Sequence, residues 1–325
     1  AEKFYSNVSK SSNDNTMKLL AHMSLKDLSY LKEIEKQNKQ LQIKEQELED
    51  MMSMFSHKFR SPLDNIIYNT KHGNHVKLYK EAAQTMRGLL EIFSFISTDP
   101  EVLKEKLKQD FQGDSNLSNV FNKTLKTTLL HLLSPEGREK IRQHYIAYAK
   151  KTGRVNSEMT RRQWKEDFLN VEKELQQTWE QEFSDLLIQS DSMQSLVEWV
   201  ESHFFKIEMS GFKKDTISFE EFGVTESLFT IVFNEILVNA FKYYASDEAL
   251  PLTVSWSKDN EYYMVSSQNP SKRSERRIFK GSKKGHSFLS MLARNIDSEF
   301  TIPKPQDTFV ITFNIHTEFL LKDTL

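Results

Sequence analysis

Ile34, Leu41, Leu48 and Phe55 recur every seven residues, and Leu31, Asn38, Glu45 and Met52 hold the position three before each. A repeat of this period keeps one narrow apolar seam on one side of a helix and constrains the chain to bury that seam against another helix. The pattern predicts one long helix, or two abutting ones, from about Met17 to Thr70. The seam is interrupted by Asn38 and Glu45, and a buried Asn at such a position fixes register and favours two strands. A single amphipathic helix lying on its own domain fits the same spacing. Lys71-His72-Gly73-Asn74-His75 then breaks the pattern. His72 and His75 have no third ligand nearby, so this stretch is expected to be a solvated turn and not a metal site. From Val76 to Ser97 a second stripe follows, with Leu78, Ala82, Met86, Leu89, Leu90, Phe93 and Ile96 on one side. Two such helices form a hairpin. It buries both stripes completely only by pairing with a second copy, as a four-helix bundle.

The 325 residues suffice for two or three domains. A net charge of -2 with 28% charged residues gives no reason to expect nucleic acid as a partner. The absence of cysteine removes disulfides, thiolate chemistry and cysteine-held zinc, and fits a reducing compartment. No run of about 18 apolar residues predicts a membrane span. The opening Ala1-Glu2-Lys3-Phe4 has no signal-peptide core. A start without methionine, leading into a coiled coil, is expected of a fragment of a longer protein with a further domain upstream.

Within the first long helix sits Phe55-Ser56-His57-Lys58-Phe59-Arg60-Ser61-Pro62-Leu63. Met51, Met52, Phe55, Phe59, Leu63, Ile66 and Ile67 line one face, and His57 falls outside it. A histidine so placed is expected to be exposed, to titrate near neutral pH, and to be able to act as a nucleophile through a ring nitrogen. A lone exposed histidine is ordinarily just solvated. Pro62, which removes a backbone hydrogen bond and kinks a helix, sets this one in an unusual context. The nine residues resemble the H-box of sensor histidine kinases, usually Ser-His-Glu-Leu-Arg-Thr-Pro-Leu. The resemblance implies a dimerisation and phosphotransfer hairpin with His57 as the phosphorylated residue. Lys58 departs from it, standing where the family has the acidic residue that accepts the histidine proton. A positive neighbour also disfavours imidazolium.

Residues 1–16, rich in Ser and Asn, are expected to be a loose linker. From about Asp99 to Ser195 the pattern is mostly helical and longer than the short connection usual in that family. Ser134-Pro135-Glu136 suggests an N-cap with proline at the first helical position, Thr152-Gly153 a helix stop, and Trp164 to Leu187 a long amphipathic helix. Beyond Val197 the character changes. Strands are expected at Thr216–Phe219, Leu252–Trp256, Tyr262–Ser267 and Phe309–Ile315. Helices are expected at Leu228–Tyr244 and Phe288–Ile296. Such a mixture predicts a two-layer α/β sandwich.

The apolar helix contains Asn234-Glu235-Ile236-Leu237-Val238-Asn239-Ala240-Phe241-Lys242-Tyr243. Glu235, Asn239 and Lys242 lie four and three residues apart and share a face. Carboxylate and amide oxygens suit Mg²⁺, a lysine one turn on suits phosphate, and Tyr243 can cover a base. A core helix with a few satisfied polar groups is the plain alternative. The segment resembles the N-box of the histidine kinase and Hsp90-like ATPase superfamily. That resemblance implies Asn239 on Mg²⁺, Lys242 toward the phosphates and Glu235 assisting the metal or its water. Val265-Ser266-Ser267-Gln268-Asn269-Pro270 stands where the family has Asp-x-Gly-x-Gly, so Asn269 would take the adenine amino group without those glycines. The next fifteen residues, Ser271 to Gly285, hold seven of the chain's 44 lysines and arginines. As a charge run they would be a solvated loop; in this place they suggest an ATP lid. Gly281 and Gly285, with the helix start after them, resemble a shortened glycine box whose amides cradle phosphate.

The expected class is therefore α+β: residues 1–50 linker and coiled coil, 51–98 a dimerisation hairpin forming a four-helix bundle, 99–196 a helical insertion, and 197–325 an ATP-binding sandwich. The resemblance implies a cytoplasmic, homodimeric kinase. It would use ATP and Mg²⁺, phosphorylate His57 and pass the group to a response-regulator aspartate. Two alternatives remain open: a non-catalytic dimeric relative signalling by conformation, and an ATPase of the superfamily in which Glu235 activates water.

Overall fold

The computed structural model describes residues 2–11, 14–72, 76–98, 100–110, 115–135, 137–154, 161–190, 192–212, 217–245, 249–258, 261–270, 284–301 and 308–319. They divide into two compact units, residues 1–53 and 54–325. The first holds helix α1 (Glu2–Ser11) and most of α2 (Asn15–His72). The expected linker is thus helical in α1. Its Glu2 carboxylate pairs with Lys32 of α2, an exposed ion pair of the kind that contributes little on its own. The seam residues Leu31, Ile34, Leu41 and Leu48 are more than half exposed in the single chain.

The second unit begins within α2, which runs unbroken through Pro62. It continues through α3 (Val76–Thr98) and α4 (Pro100–Gln109). Phe55 and Phe59 stack at 4.2 Å and Phe55 meets Phe93 edge-on at 5.2 Å, so the predicted stripes face each other there, whereas Leu63 and Leu90, expected on the same stripes, are exposed in the single chain. Next come α5 (Leu117–Leu133), a 3₁₀ turn (Arg138–Ile141), α6 (Arg142–Lys151), α7 (Arg161–Gln189) and α8 (Met193–His203). Ser134 does not open a helix as expected; it closes α5. Its hydroxyl donates to His131 O at 2.8 Å and its carbonyl accepts from Gly137 and Arg138 N–H, so Pro135 lies in a turn. Thr152-Gly153 does stop α6: Gly153 has φ 68° and Arg154 N–H reaches back to Ala149 O at 2.9 Å.

The sandwich comprises β1 (Ile207–Ser210), α9 (Val224–Tyr243), β2 (Leu252–Lys258), β3 (Tyr262–Pro270), α10 (Lys284–Asn295), β4 (Phe300–Thr301) and β5 (Thr308–His316). The strand order is β1-β2-β3-β5-β4. Among the described strands only β1 and β2 pair in parallel; α9 is the crossover that such a pair requires. β2, β3, β5 and β4 pair antiparallel. Leu252, Val254, Trp256, Val265, Ile311 and Phe313 are buried, while Ser257, Met264 and Gln268 on the other face are exposed, as expected of a sheet covered on one side.

One strand expectation, Thr216–Phe219, fails in its described part, and Thr216 lies outside the described residues. Ile217 and Ser218 belong to no strand, and Phe219 makes only an isolated bridge to Ser115, outside the sheet. The edge strand is β1 instead, four residues too short to show an alternation. Helix α9 starts a turn earlier than its periodicity suggests. Asp110, from beyond α4, accepts Thr225 N–H at 2.6 Å and satisfies an orphan donor of the first turn. Burial pushes the Asp110 carboxyl above its usual range, against the pull of that hydrogen bond.

Candidate active site

Helix α9 is apolar because it packs on several sides. Phe229 meets Trp256 of the sheet edge-on at 5.6 Å, and Phe233 meets Phe121 of α5 at 5.3 Å. Among the described residues it is the one helix long and apolar enough to cross a membrane, and most of it is buried in the fold. Its C-terminal half keeps one less buried face, which carries Glu235, Asn239 and Lys242. Asn239 donates its amide N–H to Glu235 Oε1 at 2.9 Å, which leaves the Asn239 carbonyl oxygen as an acceptor. Lys242 Nζ lies 5.0 Å from the centre of the Tyr243 ring. The first N-box residue, Asn234, faces elsewhere and donates to Thr128 of α5 at 3.2 Å.

Just beyond α9, Ala245 N–H donates to Pro270 O at 3.0 Å, which ties the end of the helix to the end of β3. Asn269, the neighbour of Pro270, is on the buried face of β3 at 3% exposure. Neither its Oδ1 nor its Nδ2 has a hydrogen-bond partner among the described residues. A buried primary amide with both groups unsatisfied is costly, and it offers one acceptor beside one donor. Adenine presents the matching pair, an amino donor beside the N1 acceptor, so the amide suits that base. Opposite Asn269 in the register stands Phe309 of β5, on which His286 of α10 stacks at 5.6 Å.

Among the described residues no three His, Asp or Glu side chains gather as a metal cluster. A cation held by Glu235 and Asn239 would therefore take most of its ligands from phosphate and water, a donor set that fits Mg²⁺ and not a dedicated protein cage. Gly285 lies in the first turn of α10, which begins at Lys284, a turn earlier than expected. Gly281 and the rest of the basic lid segment to residue 283 lie outside the described residues. His57 and Lys58 are in α2, and their side chains also lie outside the description. The aromatic path Phe55–Phe93 continues to Phe288 of α10 at 4.8 Å, so the hairpin packs directly on the helix that follows the lid segment.

Two residues missed by the sequence reading also meet α9. Gln143 of α6 donates to Phe241 O at 3.2 Å and Lys242 O at 2.8 Å, and His144 bonds Phe241 O through Nε2 at 2.7 Å. His144 is buried, which lowers its pKa to about 4 although the backbone bond pulls it upward. The neutral ring therefore donates its N–H to the carbonyl. No local signal reveals either contact, because the partners are almost a hundred positions apart.

No family model matches the chain, and no curated protein matches it. Solved structures do. The histidine kinase AdeS of Acinetobacter baumannii is similar over 54% of this chain and 93% of its own, at 13% identity and a TM-score of 0.26. The histidine kinase domain of the EL346 blue-light activated histidine kinase of Erythrobacter litoralis is similar over 53% and 94%, at 12% identity and a TM-score of 0.28. A histidine kinase from Burkholderia phymatum covers 61% of this chain and 94% of its own, at 10% identity and a TM-score of 0.27. At such values the likeness carries no functional argument, which has to come from this chain's own residues.

Proposed function

We propose that the chain is a divergent protein histidine kinase core that binds ATP·Mg²⁺ against α9 and phosphorylates His57. The observation that carries this is the half-open face of Glu235, Asn239 and Lys242, joined through Ala245 and Pro270 to the unsatisfied amide of Asn269. One end of that arrangement suits a triphosphate and the other suits adenine. Asn239 and Glu235 would hold Mg²⁺, which when bound neutralises phosphate charge. Lys242 would face the phosphates and Asn269 the base. Gly281 and Gly285 belong to the lid and helix start that would close over them. A ring nitrogen of His57 forms a bond to the γ-phosphorus as the bond to the β-phosphate oxygen breaks. ADP leaves and the imidazole gives up its N–H proton. The phosphoryl group then passes to an aspartate of a response regulator. The protein's contribution is mainly position and charge.

Lys58 supports a second reading, a dimeric relative that binds nucleotide without transferring phosphate, since a charged lysine cannot take the imidazole proton. Incubation with γ-labelled ATP separates the readings. Acid-labile label on the wild type, absent from His57→Gln and reduced in Asn239→Ala, is the expected result. Free phosphate without protein label would indicate an ATPase working through Glu235. Binding with no turnover would indicate the non-catalytic relative.

A further inference from the structure

The last carbonyls of a helix have no intrahelical donor, and an exposed helix leaves them to water or to a glycine-closed turn. Helix α9 does neither at Phe241 and Lys242. Its C-cap is Tyr244 in extended backbone (φ −58°, ψ 127°). The carbonyls of Phe241 and Lys242 instead accept from Gln143 and His144 of α6. This helix is itself firmly held. Tyr145 packs on Trp179 of α7 at 4.7 Å, Arg142 pairs with the buried Glu172 of α7 at 3.3 Å, and His144 meets Phe204 edge-on at 5.0 Å. The held turn is the one that carries Lys242, whereas Asn269 sits on β3, fixed by its own ladder.

We propose that α6 is an internal clamp on the phosphate-facing turn of α9, with Gln143 and His144 as positioning residues, so that the helical insertion sets affinity for the nucleotide's phosphates and not for its base. This rests on the reading of α9 as the nucleotide helix. Without the two donors the carbonyls of Phe241 and Lys242 are left unsatisfied and the backbone that carries Lys242 shifts, even though Ala245 still ties the helix end to β3. The base end, held by the sheet, stays as it is.

The test is equilibrium binding of Mg·ATP and of adenosine to the full chain, with melting temperature followed in parallel. Gln143→Met keeps the length without charge and removes the donor; His144→Leu removes the ring donor, and His144→Gln returns an N–H to the Nε2 position. Gln143→Met and His144→Leu are expected to weaken ATP about tenfold, the scale of a lost hydrogen-bond donor, while adenosine changes less than about twofold. His144→Gln is expected to restore ATP affinity. Equal losses for ATP and adenosine would mean general loosening and would overturn the clamp, as would unchanged ATP affinity in Gln143→Met. If His144→Leu fails to fold, Gln143→Met alone decides. A folded wild type that binds neither ligand would overturn the nucleotide reading and the clamp together; a binding wild type with unaffected variants overturns the clamp alone.

Discussion

Lys58 stands beside His57 in the sequence where a proton acceptor would serve an attacking imidazole. A lysine ammonium donates and cannot accept, so under the proposed function the adjacent residue does not take the imidazole proton. Labelling of His57 is therefore expected to be slow and to rise with pH as the neutral ring becomes available. Lys58→Glu should raise the initial labelling rate at pH 7 by about tenfold or more, the lower part of the range for one general base. A Lys58→Glu rate no higher than wild type would show that the base is not limiting. On α9, Asn239 is bonded to Glu235 at 2.9 Å. Its replacement by Ala removes a neutral oxygen ligand and leaves the buried side of the helix untouched. Calorimetry should show weaker Mg·ATP binding at an unchanged melting temperature; equal affinity would remove Asn239 from the site.

Helix α9 gathers a contact from nearly every layer. Gly88 of α3 crosses it so closely that a Cβ there would lie 1.9 Å from Ser227 Oγ. Asp110 meets its first turn, and Gln143 and His144 its last. This arrangement makes the α6–α9 junction acid-sensitive. The unfolded chain protonates His144 as the pH falls through about 6.5, but the folded chain does so only near 4. The folded pKa is depressed for a base, so the stability is present above the unfolded value and is lost as the pH falls from about 6.5 to about 4. Full loss amounts to about 3 kcal/mol, at 1.36 kcal/mol per pKa unit. Asp110 acts in the opposite sense, because its raised pKa favours the folded form on acidification, from its raised value down to the ordinary 3.8. Urea midpoints at pH 7 and 4.5 should therefore differ less in His144→Gln than in wild type. An equal acid shift in both would show that His144 is not its source.

At the scale of the whole molecule, the seam of Leu31, Ile34, Leu41 and Leu48 lies open in the single chain, each residue between 51% and 60% exposed. A row of aliphatic side chains at heptad spacing is far more stable covered, at about 25 cal/mol per Å² of apolar area. A second copy offers the identical stripe, with Asn38 set to pair with its own counterpart. The full chain should sediment at twice its 38.2 kDa mass at micromolar concentration. The double variant Ile34→Glu, Leu41→Glu should sediment as one chain. A wild type at one mass would rule out the dimer.

Periodicity alone determined the long helix, the hairpin after it, the apolar α9 and the strands β2, β3 and β5, because each repeats a contact pattern often enough to stand above its surroundings. The spacing of Glu235, Asn239 and Lys242 likewise determined that they share a face, since helix geometry is local. Tertiary structure decided the rest. A four-residue edge strand at Ile207 and a two-residue strand at Phe300 are too short to carry a period, and exist because neighbouring strands offer them hydrogen bonds. Ser134 closes a helix and does not open one, because the chain reverses there. The start of α9 at Val224 depends on Asp110 and its last turn on Gln143 and His144, donors and acceptors brought from about a hundred residues away. The unsatisfied amide of Asn269 is visible only once its strand is buried. Local spacing fixes which side chains share an element; only long-range packing fixes which backbone groups remain to be satisfied, and by what.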